Sequence, residues 1–386
     1  MINFTPRVVT AYETLETPFY YYDLSLLSET LRVYTSYIKK YGYHAHYALK
    51  ANANDRILEK MRLAGLGADC VSGNEVALAL TSGFDPRKIV FAGVGKSDKE
   101  IRTALNGGIF SFNCESIPEM EVINDIAAGL GTTAQISLRI NPDIDAHTHK
   151  YISTGRAQDK FGISPWMFED VWNLLERSKH LSLMGLHFHI GSQITDIGVF
   201  KTLCERAFVL QKWFIDKGAR LPVLNLGGGL GVDYTDPFNH AIADFGAYFE
   251  LIHKYIKLLP GQELHFEPGR SLVAQCGFLI SRVLYVKKGR GIKFAILDAG
   301  MNNLIRPALY GARHHIINLS SQGRSMRYNV VGPICESSDR FGKSVLLPQT
   351  KRGDLIALCT AGAYGQVMGM QYNQRDLAQA YYSDSL

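Results

Sequence analysis

One lysine stands at the end of an apolar segment, where a charged side chain is uncommon. Lys50 directly follows residues 47–49 (YAL), which have the character of a buried strand, and precedes residues 51–54 (ANAN). A lysine at such a position either extends its ammonium group to water at the strand rim or is buried enough to lose its proton. A neutral amine attacks a carbonyl carbon to form a Schiff base. Lys50 is therefore the first candidate for covalent chemistry.

Two pairs of alternating histidines offer nitrogen ligands or flat aromatic rings. His187 and His189 lie in residues 184–190, where the two-residue period of a strand predicts that both rings lie on one face. His44 and His46 repeat the spacing earlier, as the first strand of a zinc-dependent barrel hydrolase would. A catalytic metal would need a further histidine or aspartate at the carboxyl end of a later strand, and the ends of the seventh and eighth segments offer only glycines and Glu267. We therefore expect no metal in the active site and favour ring stacking.

A glycine-rich turn directly after the apolar segment 223–226 indicates an anion site. Residues 227–231 read GGGLG, and backbone N–H groups without neighbouring side chains approach a phosphate closely. Residues 267–270 (EPGR) end the next apolar segment and add the carboxylate of Glu267 and the guanidinium of Arg270. These two charges either pair with each other or serve a ligand. A lysine amine, a stacking histidine, a glycine turn and a carboxylate are together suited to binding pyridoxal phosphate.

These residues all lie at or after the ends of short apolar or β-branched segments. Eight such segments are predicted as strands: residues 47–49, 68–71, 89–92, 109–112, 136–140, 184–188, 223–226 and 264–266. Segments with helical spacing lie between them, such as residues 54–63 and 199–217. Eight alternating strands and helices over about 250 residues predict an α/β fold, a closed (β/α)₈ TIM-like barrel with its active site at the carboxyl ends of the strands. The alternative is two smaller α/β domains with a boundary near residues 142–165.

The pattern changes after residue 268, where strand-like alternation continues with few helices between the strands. The segments that show it are residues 277–288, 293–297, 344–347 and 354–360. We therefore predict two domains, a barrel over residues 20–268 and a mostly β C-terminal domain over residues 269–386. Residues 1–19 are candidates to join the second domain.

Composition narrows the classes of partner. The 386 residues are 46% hydrophobic and 20% charged, and 41 Lys and Arg against 36 Asp and Glu leave a formal net charge of +5. No dense basic run suggests nucleic acid, and no apolar segment approaches the roughly 18 residues of a membrane span. The amino terminus lacks the order of a signal peptide, and the six cysteines contain no CxxC pair. We expect a cytoplasmic protein with reduced cysteines, a small-molecule ligand, and no nucleic-acid or membrane partner.

Six short motifs, in this order along nearly the whole chain, resemble those of the diaminopimelate decarboxylase family. They are residues 47–52 (YALKAN), 189–193 (HIGSQ), 227–229 (GGG), 267–270 (EPGR), 335–339 (CESSD) and 362–365 (GAYG). The resemblance implies a fold of the alanine-racemase type, in which a barrel precedes a β domain, and pyridoxal 5′-phosphate as the cofactor. The implied reaction is the decarboxylation of meso-2,6-diaminopimelate to L-lysine and CO₂, the last step of lysine biosynthesis.

The resemblance also implies roles for individual residues. Lys50 forms the Schiff base with the cofactor, His189 stacks on its ring, and Glu267 meets its pyridine nitrogen. The other implied cofactor contacts are Ser192, Gly228, Gly229, Gly269, Arg270 and Tyr364. The implied substrate contacts are Arg270, Arg306 and Tyr310 at the distal carboxylate, Glu336 at the distal ammonium, and Tyr364. Cys335 is the implied catalytic acid, since a thiol with a pKa of about 8.5 donates a proton near neutral pH.

The resemblance implies a homodimer with shared active sites, because in this family the counterparts of Cys335 and Glu336 reach the site from the other subunit. Ornithine, arginine and carboxynorspermidine decarboxylases, and amino-acid racemases, are the alternatives on a related scaffold. Ornithine and arginine carry no distal carboxylate and would leave Arg306 unpaired, so the sequence favours diaminopimelate. A non-catalytic relative would lack Lys50 or Cys335, and both are present.

Overall fold

The structure is a computed structural model that describes residues 4–146, 154–155 and 159–385, without the side chains of residues 6 and 7. Its chain divides into two units. The first unit comprises Leu31–Gly231 and Asp244–Gly269. The second unit comprises the described residues up to Thr30, the segment Val232–Ala243, and the described residues from Arg270 onward.

Eight parallel strands close into a barrel in the first unit. The chain starts with α1 (Pro6–Glu13), β1 (Phe19–Tyr22) and α2 (Leu24–Tyr41). The barrel strands follow as β2 (His44–Ala48), β3 (Gly67–Cys70), β4 (Ile89–Phe91), β5 (Ser111–Cys114), β6 (Ala134–Arg139), β7 (Leu181–His187), β8 (Val223–Asn225) and β9 (Glu263–Phe266). Each strand pairs with the next along the chain, and β9 pairs with β2. The predicted barrel is confirmed, and the two-domain alternative is wrong because β6 pairs directly with β7 across its proposed boundary.

Helices alternate with the barrel strands and cover them. They are α3 (Asp55–Leu63), α4 (Gly73–Thr81), α5 (Asp98–Asn106), α6 (Ile117–Gly129), α7 (Phe168–Arg177), α8 (Gly198–Asp216) and α9 (Phe245–Tyr255). The α3 helix buries Ile57, Leu58 and Met61, which recur at the spacing of one helical face. In α5, Ser97 and Glu100 form a capping box that satisfies N–H groups of the first turn. Local sequence thus accounts for both the faces and the ends of these helices.

The interior of the barrel carries many polar side chains. Bulky branched residues dominate the interior of most such barrels, whereas here Ser111 and Asn113 on β5, and Ser137 and Arg139 on β6, are buried. Each pair follows the two-residue period of a strand. The Ser111 and Ser137 hydroxyls lie 3.2 Å apart. Because a buried polar group without a partner is costly, a polar layer inside a barrel is a place where ligand chemistry is expected.

The second unit is mostly β, and this prediction is also confirmed. Its further elements are α10 (Arg270–Val273), β10 (Gly277–Gly289), β11 (Ile292–Leu297), α11 (Arg306–Tyr310), β12 (Ile316–Asn318), β13 (Ser325–Val331), β14 (Arg340–Pro348), β15 (Leu355–Leu358) and β16 (Gln379–Tyr382). The strand order is β12-β15-β10-β11-β13-β14, and β1 pairs with β10 and β16. Phe19 and Tyr21 of β1 join a buried cluster with Phe278 and Ile280 of β10. No helix among the described residues is long and apolar enough to cross a membrane.

Candidate active site

Lys50 lies in a short 3₁₀ turn, Leu49–Ala51, directly after β2 at the carboxyl end of the barrel. Its ammonium group donates a hydrogen bond to Asp69 Oδ2, at the end of β3, over 2.7 Å. Burial and the charge of Glu267 raise the pKa of Asp69 to about 7, against the opposing effect of Lys50. This carboxyl group therefore exchanges a proton near neutral pH, beside the candidate amine. Sequence analysis did not identify Asp69, although a charged residue inside an apolar strand is a usable signal.

Glu267 follows β9 and enters the polar layer, with 4% of its side chain exposed. Asn113 and Asn225 donate amide hydrogens to Oε1 over 3.1 and 2.8 Å, and His187 Nε2 donates to Oε2 over 2.9 Å. Burial alone would raise the pKa of Glu267, but the electrostatic effect and hydrogen bond of His187, followed by Lys50, lower it below its ordinary value. A carboxylate has about four acceptor positions, so three protein donors leave one for a ligand.

His187 at the end of β7 and His189 just after it have different partners. His187 is the last residue of the strand and is bonded to the buried carboxylate, whereas His189 lies beyond the strand, where strand alternation no longer applies. His189 Nδ1 accepts a hydrogen bond from the Gly228 N–H over 3.3 Å, which leaves the ring proton on Nε2. Burial, followed by the charges of Arg139 and Lys50, lowers the pKa of His189 well below its ordinary value. His189 is therefore a flat, uncharged ring at neutral pH.

The glycine turn after β8 packs backbone against backbone. A Cβ on Gly228 would clash with the carbonyl oxygen of Glu267. Gly229 has φ +115°, and a Cβ at this position would lie 2.8 Å from the carbonyl oxygen of Gly191, in the segment 191–194. That segment carries the half-buried Ser192 and donates an N–H to the Gly229 carbonyl over 2.9 Å. Side chains at the two glycines would therefore displace the segments that carry Glu267 and Ser192.

Gly269 joins the strand ends of Glu267 and Lys50. The Ala48 N–H donates to the Pro268 carbonyl over 3.0 Å, and a Cβ on Gly269 would lie 3.1 Å from the Ala48 Cβ. The backbone after Glu267 thus packs on the strand end that precedes Lys50. The first unit brings these predicted residues to one end of its barrel: Lys50, His189, Ser192, Gly228, Gly229, Glu267 and Gly269.

The second unit contains its own cluster of predicted residues, arranged around Tyr234. Arg270 Nη1 donates to the Tyr234 hydroxyl over 2.6 Å, and its guanidinium lies 4.8 Å from the centre of the Tyr364 ring. The Arg306 guanidinium lies 4.5 Å from the centre of the Tyr234 ring. Tyr310 is four residues after Arg306 on α11 and so shares its face. Sequence analysis did not identify Tyr234, which contacts both buried arginines through its hydroxyl and its ring.

Arg306 is a buried cation without a carboxylate partner among the described residues. Its Nη1 donates to His314 Nε2 over 2.9 Å, and His314 Nδ1 donates to the Cys359 carbonyl over 2.8 Å, so His314 is neutral. Burial and the charge of Arg306 lower the pKa of His314 to about 3. Burial, with a further contribution from Arg270, also lowers the pKa of Arg306, and its Nε has no hydrogen-bond partner among the described residues. A buried cation in this state favours an anionic ligand.

Cys335 and Glu336 lie in the exposed turn between β13 and β14. The Cys335 N–H donates to Asn373 Oδ1 over 3.2 Å. Glu336 accepts hydrogen bonds from the Tyr372 hydroxyl over 2.7 Å and from Ser338 Oγ over 2.9 Å. These two hydrogen bonds lower the pKa of Glu336. The turn therefore presents a thiol and a fixed carboxylate to its surroundings.

Known proteins with the same arrangement place the chain in a family. Residues 27–274 match the pyridoxal binding domain of the pyridoxal-dependent decarboxylases. The chain is 52% identical to the diaminopimelate decarboxylase of Bacteroides thetaiotaomicron over 379 residues, which cover 98% of each chain. The crystal structure of the Helicobacter pylori diaminopimelate decarboxylase complexed with L-lysine superposes with a TM-score of 0.90 at 40% identity, covering 97% of this chain and 93% of that one. The M. jannaschii diaminopimelate decarboxylase in co-complex with L-lysine has a TM-score of 0.90 at 32% identity, covering 98% and 90%. The chain therefore belongs to the diaminopimelate decarboxylase family of pyridoxal-dependent enzymes.

Proposed function

We propose that the protein removes CO₂ from meso-diaminopimelate and releases L-lysine, with pyridoxal 5′-phosphate as its cofactor. Family membership supports the reaction. The observation that carries the substrate assignment is the buried guanidinium of Arg306, which no carboxylate of the described residues neutralises. Diaminopimelate differs from ornithine and arginine in its second carboxylate, which is the group that this cation lacks.

The carboxyl end of the barrel fits the cofactor. Lys50 supplies an amine for an aldehyde, and the neutral His189 ring suits stacking on a pyridine ring. The Gly228–Gly229 turn has no side chains to keep a phosphate from the backbone N–H groups. The acceptor position left on Glu267 matches the N–H of a protonated pyridine. The further cofactor contacts of the proposal are Ser192, Gly269, Arg270 and Tyr364.

Glu267 controls the charge of the ring nitrogen. Pyridoxal phosphate, when bound, supplies a protonated ring that accepts the electrons left behind by CO₂. Glu267 holds the proton at that nitrogen, because its own pKa is lowered and its carboxylate stays ionised at neutral pH. Asn113 and Asn225 orient the carboxylate through Oε1. His187 orients it through Oε2.

Asp69 controls the protonation state of the Lys50 amine. An amine must be neutral to attack a carbonyl, and the 2.7 Å hydrogen bond gives the Lys50 ammonium a direct acceptor. The raised pKa of Asp69 matches proton exchange near pH 7. His189, which is neutral and buried, covers the ring without adding a positive charge that would compete for its electrons.

Arg306 and Tyr310 bind the distal carboxylate of the substrate, with Arg270 beside them and Glu336 on the distal ammonium. A guanidinium–carboxylate contact is a charge-assisted hydrogen bond, which is stronger than a neutral one. A substrate without the carboxylate leaves Arg306 buried and unpaired. A site that hydrogen-bonds a polar group rejects analogues lacking it by a factor of about 10⁴ or more.

Cys335 is the acid that protonates the substrate carbon, and it acts in the site of a partner subunit. Its exposure in the single chain suits a group that completes another subunit's site. The proposal therefore includes a homodimer with shared sites. The proposal also includes a cytoplasmic location, where a biosynthetic enzyme of this kind would act.

A mixing experiment tests the shared site. Lys50→Ala and Cys335→Ala should each be nearly inactive as homodimers. In a mixed dimer, two-fold symmetry puts both damaged residues in one site and none in the other. After random exchange of equal amounts, half the dimers are mixed and activity recovers to about a quarter of the wild-type value. Continued inactivity, with exchange verified by mass spectrometry, would show that Cys335 acts in its own chain or not at all.

A direct assay tests the reaction itself. Holoenzyme is given meso-diaminopimelate, and CO₂ and L-lysine are measured together. We expect equal amounts of both products. Parallel assays use ornithine, arginine and carboxynorspermidine, and a chiral assay of L-lysine detects racemisation. Comparable turnover of a substrate without the distal carboxylate, or racemisation without CO₂, would contradict the proposal.

A further inference from the structure

The amino end of the barrel, opposite the candidate active site, contains a second cluster of histidines. His46 on β2 and His265 on β9 are buried, and His44 and Glu263 stand at the first positions of the same two strands. His44 and His265 are stacked, with ring centres 4.7 Å apart. Among the residues that the structure describes, His44, Glu263 and His265 form a group whose ligand atoms all lie within 4.8 Å of one another. None of these residues has a part in the proposed reaction.

The hydrogen bonds of the cluster fix the positions of its protons. His46 Nδ1 lies 2.9 Å from the Lys88 carbonyl, which only accepts, so Nδ1 carries the His46 proton. A single proton lies between His46 Nε2 and His265 Nδ1, which are 2.8 Å apart. Two neutral imidazole rings carry two N–H groups, and these two contacts use both of them. In the neutral pair, the His265 proton is therefore on Nδ1 and a lone pair occupies Nε2.

That lone pair faces a carboxylate. His265 Nε2 lies 3.2 Å from Glu263 Oε2, and His44 Nε2 lies 3.7 Å from the same oxygen. The contact between His265 Nε2 and Glu263 Oε2 therefore needs a positive charge that the neutral pair does not supply, either a third proton or a metal cation. Two acceptors at this distance repel each other unless a cation lies between them. The arrangement therefore lacks a positive charge at a defined point.

The distances between the candidate ligand atoms match those around a transition metal ion. Bonds of about 2.0–2.1 Å to histidine nitrogen and carboxylate oxygen, at a tetrahedral angle, place neighbouring ligand atoms about 3.3–3.4 Å apart. The observed 3.2 and 3.7 Å lie on either side of that separation. The hydrogen bond from His265 to His46 is the outer contact that fixes the tautomer of a metal-bound histidine. We propose that His44, Glu263 and His265 bind a divalent transition cation, represented here by Zn²⁺, with one or more waters completing its coordination.

A route to the site exists. The three side chains line an open cleft of about 510 Å³, in which His44 and Glu263 are about half exposed. Lys39, Arg87 and Lys88 also line this cleft, and the last two of them are engaged elsewhere. Arg87 is paired with Asp85 over 3.0 Å, and Lys88 Nζ donates to a backbone carbonyl over 3.3 Å. A hydrated cation therefore reaches Glu263 from solvent.

The proposed metal joins the first and last strands of the barrel. Only two residue pairs hold β2 to β9, His44 with His265 and Ala45 with Phe266, whereas six pairs hold β6 to β7. The ligands on β2 and β9 sit at the outer end of this short seam. A metal there would stabilise barrel closure, and the amino end of such barrels serves stability rather than chemistry.

The test uses holoenzyme that has been freed of metal with a chelator and then titrated with Zn²⁺ by calorimetry. We expect one Zn²⁺ per chain and a higher Tm in its presence. His44→Ala and Glu263→Gln change half-exposed side chains and should fold, yet each should weaken binding by more than the roughly 10- to 100-fold loss typical of an outer contact. His180→Gln, which changes a histidine elsewhere in the first unit, is the matched control and should bind Zn²⁺ as the wild type does. All three variants should keep their decarboxylase activity.

Two results would overturn the proposal. One is Zn²⁺ binding that is absent from the wild type or equal in all the variants. The other is loss of binding in Cys335→Ser with retention in His44→Ala, which would place the ion at the exposed thiol. X-ray absorption of the zinc-loaded protein provides a second readout. We expect nitrogen and oxygen neighbours at about 2.0–2.1 Å and no sulfur at about 2.3 Å.

Discussion

Each end of the barrel places a buried histidine beside a glutamate, but the protons lie differently. At the carboxyl end, His187 Nε2 donates to Glu267 over 2.9 Å, and two asparagine amides donate to the other oxygen. At the amino end, the lone pair of His265 Nε2 faces Glu263 over 3.2 Å. Glu267 has one acceptor position left, which a ligand N–H would fill. Glu263 lies beside another acceptor, so it favours a metal cation.

Both glutamates belong to one segment of chain. Glu263, His265 and Glu267 are alternate residues, so the period of two directs them to the same side of β9 and its continuation. Glu263 is about half exposed, whereas Glu267 is 4% exposed and surrounded by donors. Residue type and spacing are therefore the same for both, and their chemistry differs because their hydrogen-bond partners and their access to water differ.

The largest effect is expected from loss of the amine at the carboxyl end. Lys50→Ala should reduce CO₂ release to background and abolish the visible absorbance of the bound cofactor, because no other described group at that end supplies an amine beside Asp69. Lys60→Ala, on the surface of α3, is the control and should change neither property. Retained absorbance and activity in Lys50→Ala would place the covalent chemistry at another residue.

The second-largest effect on activity distinguishes Glu267 from Glu263. Glu267→Gln should lower kcat by about 10²–10⁴-fold with cofactor still bound, since an amide does not hold the ring nitrogen protonated. Glu263→Gln makes the same chemical change four residues earlier and should leave kcat unchanged. Steady-state kinetics and cofactor absorbance of the two variants provide the comparison. Similar loss in both would mean that the two ends of the barrel are not functionally distinct.

A smaller loss of activity is expected from a substitution in the second unit. Arg306→Ala should lower kcat/KM for diaminopimelate by about 10²–10⁴-fold through loss of a buried charge-assisted contact, without a comparable loss of cofactor. Arg327→Ala, which removes an exposed arginine in the same unit, is the control. Kinetics and cofactor titration are measured together. A collapse of cofactor affinity would assign Arg306 to the phosphate and contradict the substrate assignment.

The smallest effect is a pair of opposite pH dependences in protein freed of metal and cofactor. Asp69 has a pKa of about 7 in the folded chain against an ordinary 3.8, so the folded state binds more protons and stability falls as pH rises across this window. His265 has a pKa of about 2 against 6.5, so the folded state binds fewer protons and stability falls as pH drops. Each slope is at most about 1.4 kcal/mol per pH unit.

The measurement is the Tm of Asp69→Asn and of His265→Asn relative to the wild type at pH 5.0 and 6.5. Between these pH values, Asp69→Asn should gain stability relative to the wild type, and His265→Asn should lose it. The sign is independent of any constant packing cost of either substitution, because that cost cancels between the two pH values. Slopes of the same sign would contradict the assigned charge states.

The sequence determined the barrel and the order of its candidate residues. Eight short apolar segments, each followed by a helix, predict a closed (β/α)₈ barrel. The residues that follow the segments then all lie at the carboxyl end of that barrel. The second unit was predicted less completely: the predicted segments coincide with β10, β11, β14 and β15, but β1, β12, β13 and β16 were not predicted. Four buried aromatic residues, Phe19–Tyr22, do not reveal that their partner is β10, more than 250 residues later.

Only the tertiary structure decided which polar groups meet. Asp69 and Tyr234 were absent from the predicted site, and each lies far along the chain from most of the groups it affects. The tautomer of His265 depends on His46, which in turn depends on a carbonyl at Lys88. Strand period and residue type are local properties that a sequence carries. Burial, hydrogen-bond direction and the resulting charge depend on atoms brought together from several strands, so they are fixed only when the barrel closes.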